Sequence, residues 1–121
     1  MADAMLIERD AWQAFFDGLT ENQEGMLLTI EVVGDDVGDQ FEVERKPFVA
    51  STYDPGNDVV VVAVDLRDED PPAVLRHLIG HPTEVDLSVP APGLTSVRVM
   101  PADGPANLLH FTAKPALPEG A

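Results

Sequence analysis

Cysteine is absent from this 121-residue chain, which removes disulfide staples, thiolate metal sites and cysteine nucleophiles together. Base is scarce as well. Seven Lys and Arg stand against 22 Asp and Glu, a formal charge of −15. Affinity for nucleic acid comes largely from basic side chains that displace condensed counterions, so direct binding to DNA, RNA or an anionic membrane is not expected. No apolar run is long enough to cross a bilayer as a helix. The first ten residues carry neither a basic start nor a sustained apolar stretch, so they do not read as a secretory signal, and a cytoplasmic location is expected.

An apolar fraction of 45% is ordinary for a globular protein, and the length suits one core. The expected organisation is an N-terminal segment over 1–8, a single globular domain over 9–114 and a flexible tail over 115–121. Residues 9–19 predict an amphipathic helix, with Trp12, Phe15, Phe16 and Leu19 on one stripe and Asp10, Gln13 and Asp17 turned away. From Gly25 the period changes to two. Met26, Leu28, Ile30 and Val32 share a face, the Gly34–Asp39 stretch is a turn, and Phe41 and Val43 alternate with Glu42 and Glu44, which makes a hairpin.

Pro47 removes a ladder donor and marks a bend or sheet edge before Phe48–Tyr53. Asp54-Pro-Gly-Asn-Asp58 is the strongest turn signal. The following Val59–Val64 run is apolar on both faces and predicts a strand covered on both sides. Over 71–80 two rules disagree. Asp70 as cap, Pro71 at the first helical position and Gly80 beyond the end favour a helical turn, whereas Leu75, His77 and Ile79 also alternate as a strand would. The capping pattern tips the expectation toward the helical turn. Three more strands follow, over Glu84–Val89, Leu94–Met100 and Asn107–Thr112, with inward Val85, Leu87, Val89, Val97, Val99, Leu109 and Phe111. The expected fold is mainly β: an antiparallel sheet of six or seven strands rolled into a small barrel or sandwich, with the N-terminal helix packed against it.

Trp12-Gln-Ala-Phe-Phe-Asp17, the strand from Gly25 through Val33 with its Gly34–Gln40 turn, Tyr53-Asp54, His77-Leu-Ile79 with Pro82, and Ala102-Asp-Gly104 before Leu108 and Phe111 span most of the chain. Together they resemble a family of small bacterial proteins catalogued as a domain of unknown function. The resemblance implies a bacterial cytosolic protein and brings no catalytic residues with it.

Chemistry-bearing patterns are few. His77 and His81 have the i, i+4 spacing of paired imidazole ligands on a helix, but Gly80 and Pro82 bracket His81, and no glutamate follows His77 as a zinc-protease motif requires. Asp35, Asp36 and Asp39, and separately Asp68, Glu69 and Asp70, are acidic clusters without the spacing of a calcium loop; a solvated loop is the default for each. Ser51 has no nucleophile-elbow glycines, and His110, opposite in alternation to Leu109 and Phe111, faces solvent. Neither a metal nor a cofactor is therefore expected. Tyr53 and Asp54 at their turn, with Asp68, Glu69 and Asp70, are the expected partner-contacting residues, although Tyr53 also suits a structural bond from its hydroxyl to a backbone carbonyl. The favoured function is a non-enzymatic protein-binding or accessory module acting through an acidic rim and a sheet edge, self-association included. Two alternatives stand beside it: a small-molecule or divalent-cation binding barrel with Asp35–Asp39 or His77 and His81 at its mouth, and an inhibitor whose acidic face mimics a nucleic-acid backbone.

Overall fold

The computed structural model describes residues 4–34 and 38–114. The elements are β1 (Met5–Ile7), a 3-10 turn (Arg9–Ala11), α1 (Trp12–Asn22), β2 (Leu27–Gly34), β3 (Gly38–Asp54), β4 (Val59–Leu66), β5 (Ala73–Gly80), β6 (Pro82–Ala91), β7 (Leu94–Pro101) and β8 (Ala106–Thr112). The strands form one antiparallel sheet in the order β1-β6-β7-β8-β2-β3-β4-β5.

β3 makes the sheet turn back on itself. Its 17 residues serve two partners: the first half pairs with β2 up to Pro47, and the second half pairs with β4 from Phe48. Arg45 lies in the left-handed region at φ 53°, and register shifts flank the change of partner. Such bulges bend a strand and sharpen its twist. The strands beyond the bend come to lie over β8, where the His77 ring on β5 meets the Asn107 side chain at 2.7 Å.

A single core fills the space enclosed. Leu28 and Ile30 of β2, Val60, Val62 and Val64 of β4, Val85 of β6, Val97 and Val99 of β7, and Leu109 and Phe111 of β8 are all fully buried. These are the inward positions expected from the two-residue period. Phe48 and Phe111 meet edge to face at 4.9 Å, joining the strands on either side of the bend.

Helix α1 seals the flank of β3. Trp12, Phe16 and Leu19 are buried, and the Trp12 ring packs edge-on to Tyr53 at 5.3 Å. After the bend one edge of β3 has left β2, so its backbone needs other partners. Thr20 supplies them: its hydroxyl accepts from the Ser51 N–H and donates to the Ser51 carbonyl, both at 3.0 Å, while the Ser51 hydroxyl donates to the Phe16 carbonyl at 2.7 Å.

Several expectations need correction. Among the described residues there are eight strands, and the sheet does not close into a barrel: β1 pairs only with β6 and β5 only with β4, leaving one strand at each end of the order. Residues 73–80 form strand β5 instead of a helical turn, because pairing with the whole of β4, from Val59↔Gly80 to Leu66↔Ala73, buries Ile79 and outweighs the local capping signals. β4 is fully buried on one face only; Val59, Val61 and Ala63 are half-buried. Phe41 and Val43 do not share a face, since the bulge between Ile30 and Glu31 sets Phe41 opposite Glu31 on the outside. Val89, expected inward, is exposed.

Candidate functional site

The Asp54–Asp58 turn is built by its first residue. The Asp54 carboxylate accepts from the backbone N–H groups of Gly56 and Asn57 at 2.9 and 3.3 Å and from the Asn57 side chain at 2.7 Å. These bonds favour its charged form and hold its pKa below the ordinary value, the Asn57 side chain being the largest cause. Asp54 is thus occupied in shaping the turn that delivers Asp58.

Asp58 and His81, both at φ 52°, form a corner where the β3–β4 and β5–β6 connections meet. The His81 N–H donates to the Asp58 carbonyl at 2.8 Å, and the Ala102 N–H donates to the His81 carbonyl at 2.8 Å. Around the Asp58 carboxylate stand the Tyr53 hydroxyl, which donates at 2.7 Å, the His81 ring at 3.2 Å and the Arg9 guanidinium at 3.6 Å. Tyr53 first, then His81 and Arg9, pull the Asp58 pKa down; the bond to Asp58 conversely raises that of Tyr53. Arg9 also donates to the Pro82 carbonyl at 3.2 Å and lies 4.4 Å over the Trp12 ring. The Tyr53 hydroxyl therefore goes to a carboxylate and not to a backbone carbonyl. With its ligand atoms taken up by three side chains, Asp58 acts as a clasp between the N-terminal turn and two loops.

The structure separates the two histidines. Once residues 73–80 are a strand, the helical face that His77 and His81 were to share does not exist: the His77 ring turns to Asn107, and the His81 ring, beyond the strand end, turns to Asp58. Among the described residues no three His, Asp or Glu side chains gather as a metal cluster. Asp35 and Asp36 lie outside the described residues. Asp39 is placed on the outer face of β3, opposite Val33, with its carboxyl bonded to Glu31.

At the other end of β4 and β5, Lys46 bridges Asp68 at 3.1 Å and Glu69 at 3.0 Å, and Asp70 is exposed. A shallow depression of about 260 Å³ beside them is lined by Pro47, Asp65, Arg67 and Asp68. Between the two ends runs β5, one of the two edge strands of the sheet, with its outer edge unpaired among the described residues. On the outward side of β5, Val74 is 55% and Leu78 61% exposed, with Arg76 exposed between them and in no ion pair among the described residues. Val61 and Ala63 of β4 lie directly beside Leu78 and Arg76 and extend the patch. Asp54 lies at one end of this surface and Asp68, Glu69 and Asp70 at the other, whereas Tyr53, expected as a partner contact, is buried on the inner face against Trp12.

The family-model match extends over residues 4–120. The chain belongs to DUF5335, a family of unknown function. A relative within reach of direct alignment is an uncharacterized protein of the bacterium Aquifex aeolicus (strain VF5), 32% identical over 112 residues, which cover 93% of each chain. No solved structure matches. This DUF5335 chain also contains a side-chain network that its sequence concealed. On the outer face of β7, β8 and β2, the Ser96 hydroxyl lies 2.7 Å from His110 Nδ1, and His110 Nε2 lies 3.0 Å from Glu31 Oε1. Their positions, 31, 96 and 110, show no motif spacing. Only strand register, with Ser96 opposite His110 and Glu31 opposite Leu108, makes them neighbours.

Proposed function

We propose that the protein is a docking module whose β5 edge adds one strand from a partner protein, an extended segment with an acidic residue between two apolar ones at alternate positions. The observation that carries this reading is the outward stripe Val74-Arg76-Leu78 on a strand with one edge unpaired among the described residues. Proteins commonly blunt such edges with charge, proline or a covering loop; this one keeps two large apolar side chains in water. Strand addition supplies affinity through the main chain, and alternate side chains supply the selection. Arg76 is a lone cation on the edge of a protein of charge −15, so an acidic side chain opposite it complements the site and a basic one is repelled. Asp68, Glu69 and Asp70 repel acids at the end of the surface, which sets the direction in which an unevenly charged segment lies.

The test uses a labelled peptide reading Ile-Thr-Glu-Thr-Val and its counterpart with Lys in place of Glu, followed by fluorescence anisotropy. The expected result is binding of the Glu peptide, with amide shifts confined to β4 and β5, and a reversed preference in Arg76→Glu. Absence of binding by either peptide, or an unchanged preference in that variant, overturns the proposal. Light scattering that shows a dimer dissociated by Leu78→Asp would put a second copy on the edge and equally overturn it.

A further inference from the structure

We propose that Ser96 is an activated nucleophile that accepts small acyl groups, with His110 as its general base and Glu31 as the positioning residue. The geometry carries the assignment. An ionised carboxylate only accepts hydrogen bonds, so the bond at 3.0 Å requires the proton of the neutral imidazole to sit on Nε2. Nδ1 is then left with its lone pair, 2.7 Å from the Ser96 oxygen, where it accepts the hydroxyl proton. Nucleophile, base and orienting acid stand in the serial arrangement that serine acyl transfer uses, with the two ring nitrogens exchanged relative to the common form. Of the neighbouring Glu31 and Asp39 carboxyls, Glu31 has its pKa lowered, by Asp39 first and by His110 second, while that of Asp39 is raised by Glu31.

The network lies on the opposite side of the sheet from the core, with the half-buried side chain of Leu108 and the exposed ring of Phe41 as apolar neighbours of Glu31 along the register. Ser96 itself is 7% exposed, which restricts the electrophile to a compact one, an activated acetyl or similar short acyl ester. In the reaction the Ser96 oxygen bonds to the ester carbonyl carbon while its proton passes to His110 Nδ1. The carbon–oxygen bond to the leaving alcohol breaks, and that oxygen takes the proton from Nδ1. Water, deprotonated by the same nitrogen, then cleaves the acyl-serine to a free acid and restores the hydroxyl. This chemistry is independent of the β5 edge, which is on the other arm of the sheet.

The probe is p-nitrophenyl acetate, with nitrophenolate release followed by absorbance and the acyl site located by fragment mass spectrometry of the unmodified sequence. The expected result is one acetyl group on Ser96, no burst in Ser96→Ala, and acylation slowed roughly 10²-fold or more in His110→Gln, the usual contribution of a general base. Glu31→Gln should shift the pH profile of acylation while His110 remains in place, which a merely structural role would not do. Acetyl found only on Lys46, Lys114 or the terminal amine, or an equal burst in a folded Ser96→Ala variant, overturns the proposal. Because the mapping is done on the native sequence, the result holds even if a variant fails to fold.

Discussion

Phe111→Ala tests the core more directly than any surface change, because its ring is fully buried and touches both arms of the bent sheet. On β8 it stands opposite Leu28 of β2 and Thr95 of β7, and it meets Phe48 of β3 beyond the bend. Truncating a buried phenylalanine removes transfer free energy and leaves a cavity, a loss of about 3–5 kcal/mol. A domain of this length has roughly 6–18 kcal/mol in total, so the variant should fold with a much lower margin. Phe111→Leu retains most of the volume and loses the edge-to-face contact, worth about 0.5–1.5 kcal/mol beyond area. Urea unfolding followed through Trp12, the single tryptophan, is the assay, since that indole is buried in α1 against β3. With a slope of about 2 kcal/mol per molar urea, the alanine variant should lose roughly 1.5–2.5 M in midpoint. The double variant Phe48→Leu with Phe111→Leu should then show a coupling of about 0.5–1.5 kcal/mol. A loss below about 1 kcal/mol for Phe111→Ala, far under the usual range, would refute the single shared core. Strict additivity of the two leucine variants would refute the contact across the bend.

Three further outcomes follow from particular bonds and backbone angles. Thr20→Val should cost about 1–3 kcal/mol, because it orphans the Ser51 N–H on the released edge of β3, and Ser51→Ala about 0.5–1.5 kcal/mol; equal effects in calorimetry would deny Thr20 its capping role. Asp54, Asp58 and Asp65 all have lowered pKa values in the folded protein, so the stability they contribute is present above the unfolded carboxylate value near about pH 4 and is lost as pH falls through the folded values below it. Asp58→Asn, whose side chain tolerates the left-handed backbone, should weaken the protein at neutral pH and flatten that acid limb in urea titrations; an unchanged slope would show that Tyr53, His81 and Arg9 do not hold its charge. Gly80→Ala, with open space at the added carbon, should stabilise by about 0.4–1 kcal/mol, whereas Gly25→Ala, at φ +82°, should destabilise by about 1–2 kcal/mol; thermal melts giving the same sign for both would contradict the backbone assignment.

The core was legible in the sequence to the extent that it depends on local periodicity. Trp12, Phe16 and Leu19 recur at helical spacing, and Leu28, Ile30, Val97, Val99, Leu109 and Phe111 recur every second residue, because side-chain direction along a helix or strand is set by the backbone repeat itself. Turn chemistry was equally local: Asp54 writes its own turn by accepting three bonds from Gly56 and Asn57. Residues 73–80 depart from their capping pattern because capping signals are short-range, while the decision between helix and strand is made by β4, which supplies a full ladder and a place to bury Ile79. The bulge that turns Phe41 outward likewise depends on how β2 and β3 pair.

What sequence alone determined here is an acidic, cysteine-free chain with one apolar helix stripe and a set of alternating strands, since charge, composition and period are properties of the unfolded string. Tertiary structure decided which strands became edges, and so placed Val74, Arg76 and Leu78 on one of them. It also set Ser96, His110 and Glu31 in one line, and it divided His77 from His81. Those outcomes rest on strand register and on the bend in β3, where contacts join residues tens of positions apart, and a local pattern contains no information on which distant backbone will supply the matching hydrogen bonds.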